Sequence, residues 1–155
     1  MPTAGKRVKD PAAESELIRK TACEVVALLR AGEVSPLDLL DALEQRIAAV
    51  DGAVGALPTL CFDRARTHAE ALLARPVEAR GLLCGLPVPI KDLTEVAGVL
   101  TTHGSVIYAD HVPEASDILV THLEAEGAVV YAKSNTPELD DGANTFNKLF
   151  TTYLR

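Results

Sequence analysis

The segment GLPVPIKD at residues 85–92 restricts the fold of this chain more than any other part of the sequence. Leu86, Val88 and Ile90 alternate with other residues, so their side chains share one face of an extended backbone. Proline has no N–H to donate to a sheet ladder, which excludes a regular central strand. The sequence therefore predicts an edge strand or an extended segment here.

A helix and a second apolar strand follow this segment. Ser116 is a suitable N-cap for a helix that continues to Glu126 and is closed by Gly127. The run Ala-Val-Val-Tyr at residues 128–131 is typical of a buried strand. The order extended segment, helix, strand predicts a β-α-β unit in a partly parallel sheet.

The first half of the chain is predicted to be helical, after a loose leader at residues 1–14. Apolar residues recur at helical spacing over residues 16–30, and a third helix is predicted over residues 63–74. Between them, Ser-Pro-Leu-Asp at residues 35–38 combines an N-cap serine, a first-turn proline and an acid, which starts a helix ending near Gly52. The predicted fold class is α/β, with N-terminal helices followed by part of a mixed β-sheet that contains the β-α-β unit.

Composition narrows the classes of partner and compartment. The net charge of −7 over 155 residues argues against nucleic-acid binding, which needs a basic face. No apolar run approaches the length of a membrane span, so no membrane partner is expected. Cys23, Cys61 and Cys84 are scattered without paired spacing, which predicts free thiols in a reducing compartment and hence a cytoplasmic protein.

Lys91 is the residue with the clearest chemical potential in this sequence. It follows an apolar extended segment and precedes an acid, a position at the boundary of a buried strand. A lysine withdrawn from water has its charged form disfavoured and can act as a base near neutral pH. The alternative is a surface lysine whose aliphatic stem lies on the core.

The other polar groups show weaker patterns. The four histidines have no metal-ligand spacing, so no metal and no cofactor is expected, although His103 and His111 share a turn-rich stretch and can approach each other. Asp140 and Asp141 indicate a solvated turn more than a metal or paired-acid site, because adjacent side chains diverge. Neither a P-loop nor a G-x-S-x-G nucleophile elbow is present.

Several ordered blocks of the second half together resemble the N-terminal third of the amidase-signature family. GLPVPIKD is similar to the family's G-[VI]-P-[VI]-x-[IV]-K-D segment, and TTHGS at residues 101–105 to its T-T-x-G-S segment. With weaker similarity through the helix at Ser35, the resemblance covers roughly residues 16–150, and residues 15–155 are read as the N-terminal part of such a domain. The remaining blocks are DHVP at 110–113, GAVVYAKSNTPEL at 127–139 and GANTFNKLF at 142–150.

Family members hydrolyse amide bonds with a Ser–cis-Ser–Lys triad. The resemblance implies that Lys91 is the neutral base, which accepts a proton from the bridging serine that activates the nucleophilic serine. It also implies that Asn135, Leu139 and Asp140 contribute to substrate binding. The implied substrate of intact relatives is a small-molecule amide.

The sequence departs from the family where the serines are expected. The Gly-Gly-Ser-Ser-Gly-Gly-type segment that carries both serines should lie beyond Phe150, and the sequence instead reads Thr-Thr-Tyr-Leu-Arg to residue 155. The expectation is an amidase by descent, truncated before both serines and inactive alone.

Three alternatives remain open at the level of sequence. One is a non-catalytic fragment that binds a partner or itself through unpaired strand edges. Another is a piece of a split enzyme, with the serines on a complementing chain. The third is a self-contained Schiff-base enzyme, which requires Lys91 in a closed pocket.

Overall fold

The computed structural model describes residues 16–142 and 144–150, in which helices pack on a small mixed sheet. The predicted leader at residues 1–14 lies outside these described residues. Three 3₁₀ turns lie at Val77–Ala79, Val106–Tyr108 and Glu138–Asp140. The helices are α1 (Ala22–Ala31), α2 (Pro36–Val54), α3 (Phe62–Leu73) and α4 (Ile118–Ala125), and the strands are β1 (Thr59–Leu60), β2 (Pro87–Lys91) and β3 (Val129–Ser134).

The sheet is built around β3, in the order β1-β3-β2. β2 pairs with β3 in parallel and β1 pairs with it antiparallel. β2 therefore lies at an edge of the described sheet, where the N–H donors that its prolines lack are not needed for a second neighbouring strand. The register of β2 against β3 shifts between Val88 and Pro89. The predicted α/β class and the unit β2-α4-β3 are confirmed. The two-residue strand β1 was not predicted, because two residues carry no periodic pattern.

Local signals position the starts of α1 and α2. Ser35 Oγ accepts a hydrogen bond from Asp38 N, and the Asp38 carboxylate accepts from Ser35 N, which confirms the predicted start of α2. Thr21 and Glu24 form a second capping box at the start of α1. The helix predicted from residue 16 is consequently interrupted, since residues 16 and 17 are helical, residues 18–20 form a turn, and Thr21 caps α1, which starts only at Ala22.

The predicted N-cap of α4 is displaced by one residue. Asp117 caps the helix, with its carboxylate accepting a hydrogen bond from Leu119 N at 2.8 Å. Ser116 Oγ instead accepts a hydrogen bond from Ala97 N at 2.9 Å. Serine and aspartate are comparable N-caps, and the tertiary partner at Ala97 decides between them.

The core lies on both faces of β3. Val129 and Tyr131 lie in one apolar cluster with residues of α2 and α3, whereas Val130 lies in another with Val120 of α4. Alternation of side chains along a strand produces this division. Within the described residues, no helix combines the length and the apolar character needed to cross a bilayer.

Gly127 lies where the connection from α4 to β3 crosses the chain segment before β2. Gly85 N donates to Gly127 O at 2.7 Å, so the two strands start side by side. The φ of Gly127 is +84°, and a Cβ there would lie 1.9 Å from Arg80 O. Both its backbone conformation and its close contact therefore require glycine.

We expect Gly127→Ala to lower the free energy of unfolding by roughly 2–5 kcal/mol, from left-handed strain together with the backbone overlap. The matched control is Gly52→Ala in α2, where an added Cβ meets nothing within 4 Å. Alanine at this helical position should stabilise the chain by about 0.5–1 kcal/mol. Urea unfolding followed by circular dichroism measures both changes, and similar effects at the two positions would contradict the assignment.

Candidate functional site

Lys91 and Asp92 project to opposite sides at the carboxyl end of β2. The Asp92 side chain is buried, with 1% exposed, whereas the Lys91 side chain is 46% exposed. Successive side chains of an extended strand alternate between its faces, and Ile90 and Asp92 take the interior. The amine of Lys91 is thereby presented at the surface, beside a carboxylate that is anchored inside.

Asp92 is the centre of a buried polar network. Its Oδ1 accepts a hydrogen bond from Thr102 N at 3.1 Å, and Oδ2 accepts one from the Thr102 hydroxyl. Lys133 Nζ of β3 lies 3.3 Å from Asp92 Oδ1 and donates to Thr101 Oγ1 at 2.8 Å. Thr101 Oγ1 donates in turn to Val99 O. The network joins the ends of β2 and β3 to the loop at residues 101–105.

Lys133 occupies the environment that sequence reasoning assigned to Lys91. Its side chain is fully buried, and this burial lowers the pKa of its ammonium, while the Asp92 carboxylate acts in the opposite direction. Lys91 is not buried as expected, because Asp92 takes the inward position. The catalytic role of Lys91 is a separate matter and stays a prediction.

The 3₁₀ turn at Glu138–Asp140 brings the carboxylate of Asp140 next to Lys91. The Asp140 carboxylate accepts a short hydrogen bond from Lys91 Nζ, and both side chains remain about half-exposed. Leu139 N donates to His103 O at 2.8 Å, which holds the turn against the loop at residues 101–105. Leu139 and Asp140 both have positive φ, 50° and 64°, and the Leu139 side chain is 56% exposed. The structure thus places Asp140, one of the predicted substrate-binding residues, beside Lys91.

The loop at residues 101–105 lies directly against the chain after β3. A Cβ on Gly104 would lie 2.8 Å from Pro137 O, and its φ is +65°. The buried Ser105 donates from Oγ to Glu138 Oε1 at 2.7 Å. The glycine and serine of the T-T-x-G-S segment therefore position the turn that carries Asp140.

Asn135, the third predicted substrate-binding residue, is engaged in internal hydrogen bonds. Its Nδ2 donates to Gly55 O at 3.3 Å, and its Oδ1 accepts from Thr136 N and from Asn147 Nδ2. Asn147 Nδ2 also donates to Thr136 O at 2.8 Å. These bonds fasten the end of β3 to the end of α2 and to residue 147. A role for Asn135 in substrate binding stays a prediction.

Sequence reasoning missed Thr101, Thr102 and Lys133 as components of the site. One signal was available, since Lys133 interrupts the apolar run of residues 128–132. A lysine within a buried strand requires an acidic or hydroxyl partner. The sequence does not say that the partner is Asp92, because 41 residues separate the two.

We expect Asp92→Ala to lower the free energy of unfolding by about 3–5 kcal/mol, because it leaves a buried cation without its partner. Asp140→Ala is the matched control, since it removes the same side chain from a half-exposed lysine pair and should cost about 0–1 kcal/mol. Denaturant unfolding of both variants measures the difference. Equal losses, or a larger loss for Asp140→Ala, would contradict the assigned burial of the two pairs.

Comparison with known proteins identifies the family. The family model described as Amidase matches residues 38–153. A glutamyl-tRNA(Gln) amidotransferase subunit of Anaeromyxobacter dehalogenans is 39% identical over 137 residues, which cover 87% of this chain and 28% of that protein. The acylamidase of Rhodococcus erythropolis is 35% identical over 141 residues, 88% of this chain and 29% of its own length.

A solved structure agrees with the sequence relatives. The crystal structure of an amidase superposes with a TM-score of 0.72 at 32% identity, over 84% of this chain and 30% of that one. The chain thus spans between a quarter and a third of the length of these relatives. The family's lysine-bearing segment, with Lys91 and its buried neighbour Asp92, lies within the matched residues. The chain belongs to the amidase family.

Proposed function

We propose that this chain supplies the lysine-bearing part of an amidase, which hydrolyses the C–N bond of a carboxylic-acid amide. The observation that carries the proposal is that Asp92 is buried, whereas the adjacent Lys91 is about half-exposed on the other side of β2. The buried network anchors Asp92, and the amine of Lys91 is presented at the carboxyl end of a strand. An accessible amine next to an anchored acid can act as a base on serine hydroxyls that another segment or chain supplies.

Lys91 is proposed as the base of a Ser–cis-Ser–Lys triad. A neutral amine would accept a proton from a bridging serine, and that serine would activate the nucleophilic serine. The Asp140 carboxylate lies beside the Lys91 amine and accepts a hydrogen bond from it. Contact between Lys91 Nζ and a serine hydroxyl therefore requires that Asp140 leave room beside the amine.

The two serines of the triad are proposed to come from outside these 155 residues. The sequence contains five serines, at positions 15, 35, 105, 116 and 134, and none lies in a Gly-Gly-Ser-Ser-Gly-Gly-type segment. Ser35 and Ser116 accept hydrogen bonds from backbone N–H groups, and Ser105 donates to Glu138. These three serines are engaged in local structure, which supports a nucleophile from a complementing segment or chain.

Surface features support such a complement. β2 forms an edge of the described sheet. Large apolar side chains in the second half of the chain are exposed, Ile107 at 77% and Phe146 at 70%. Unpaired edges and exposed apolar side chains favour association. One relative is named as a component of an amidotransferase with more than one kind of chain. We therefore propose that a further polypeptide segment completes both the sheet and the active site.

The proposed substrate is a small-molecule amide, in line with a relative named acylamidase. The compartment proposed is the cytoplasm. The three cysteines are free, with Cys84 buried, which agrees with a reducing environment.

A chimera tests this proposal directly. Residues 16–150 would replace the aligned segment of the Rhodococcus erythropolis acylamidase, and hydrolysis of an aryl amide would be measured by product absorbance. We expect the chimera to hydrolyse the amide and Lys91→Ala to lower kcat/KM by at least about 10³-fold, as loss of a triad member does. Lys148→Ala, another lysine of the same chain, should leave the rate within about twofold of the unsubstituted chimera.

The isolated chain provides the complementary measurement. We expect it to show no turnover of the same amide, with or without Lys91→Ala. Turnover by the isolated chain that disappears in Lys91→Ala would place the nucleophile within these 155 residues. An active chimera that keeps its activity in Lys91→Ala would exclude Lys91 as the base.

A further inference from the structure

Glu95, His103 and His111 converge on one side of the turn-rich segment that precedes α4. Each contributes one nitrogen or oxygen atom, and these three atoms all lie within 4.8 Å of one another. His111 Nε2 lies 3.2 Å from Glu95 Oε1. The two imidazole rings face each other, with centroids 6.1 Å apart and planes inclined by 27°.

We propose that these three residues form a binding site for a divalent first-row transition metal, with Zn²⁺ as the preferred ion. Two imidazole nitrogens and one carboxylate oxygen are a donor set typical of zinc sites that keep an open fourth position. Zinc–nitrogen bonds of about 2.0–2.1 Å place tetrahedral ligand atoms roughly 3.3 Å apart. The Glu95–His111 separation of 3.2 Å is close to this value. The His103 nitrogen, which lies within 4.8 Å of the other two atoms, has to move closer to them when the metal binds.

The backbone holds all three residues in place. His103 N donates to Asp92 O at 2.9 Å, and Thr101 N donates to His111 O at 2.9 Å. Glu95 O accepts a hydrogen bond from the N-cap residue of α4 at 3.0 Å. The ligands are therefore fixed to the same scaffold as the Asp92 network, and binding would order little additional backbone.

Tyr108 packs against both imidazoles. Its ring lies edge-on to His103 with centroids 4.8 Å apart, and edge-on to His111 at 5.8 Å. This packing restricts rotation of the two rings, as the surroundings of metal ligands do. A simple surface ion pair would explain the contact between Glu95 and His111. It does not explain why His103 brings a third donor atom to the same place.

The site uses none of the residues proposed for amide hydrolysis. The ligands are evenly spaced in sequence, at 95, 103 and 111, and a metal ion would cross-link this stretch around the loop at residues 101–105. The expected consequence is tighter closure of that loop. The inference stands whether or not the proposed function is correct.

Metal titration of the purified chain, free of any histidine tag, tests the site. Co²⁺ reports coordination through its visible absorption, and calorimetry with Zn²⁺ gives stoichiometry and affinity. We expect one equivalent of each ion to bind. The double variant His103→Ala/His111→Ala should lose more than about 100-fold in affinity, beyond the effect of altering an outer-shell partner.

The matched control is His68→Ala/His122→Ala, which removes the same number of imidazoles from α3 and α4. It should bind Co²⁺ with unchanged affinity and spectrum. Circular dichroism without metal checks folding, and Glu95→Gln replaces the double variant if that variant is unfolded. Absence of binding by the unsubstituted chain at millimolar Co²⁺, or unchanged affinity in His103→Ala/His111→Ala or Glu95→Gln, overturns the proposal.

Discussion

The buried contact between Asp92 and Lys133 is the interaction on which the rest of the site depends. Two charges inside a protein are tolerated only where hydrogen bonds satisfy their remaining groups. The backbone N–H and hydroxyl of Thr102 supply such bonds to Asp92, and Thr101 supplies one to Lys133. Because these groups belong to β2, β3 and the following loop, the pair fixes the relative positions of all three.

This anchoring explains how a short strand presents the Lys91 amine at the surface. If Asp92 is held in the interior, alternation along β2 directs Lys91 outward, where it meets Asp140. The amine stays about half-exposed beside that carboxylate. This exposure of Lys91 agrees with the proposal that a further polypeptide segment completes the site.

The loop at residues 101–105 serves two parts of the molecule. On one side, Ser105 and Gly104 hold the turn that carries Asp140. On the other side, His103 points to Glu95 and His111. Its positive-φ residues, His103 at 53° and Gly104 at 65°, reverse the chain sharply enough to place neighbouring residues in two different environments.

Local chemistry is what the sequence by itself determined. The capping box at Ser35 and Asp38 requires only residues three positions apart, so the start of α2 was predicted correctly. Because proline has no backbone N–H to donate, the prolines of β2 predicted an edge position. The hydrophobic pattern predicted the β-α-β order. The family motifs likewise singled out Lys91 as the predicted base, a role that stays a prediction.

Only the tertiary structure decided which lysine is buried, which residue caps α4 and that Glu95 joins the two histidines. Lys133 and Asp92 are 41 residues apart, and the contact of Ser116 with Ala97 spans 19. Burial and distant contacts depend on how whole elements pack, and a local pattern carries no information about that packing. The contact of Lys91 with Asp140 is of the same kind, since 49 residues separate the two.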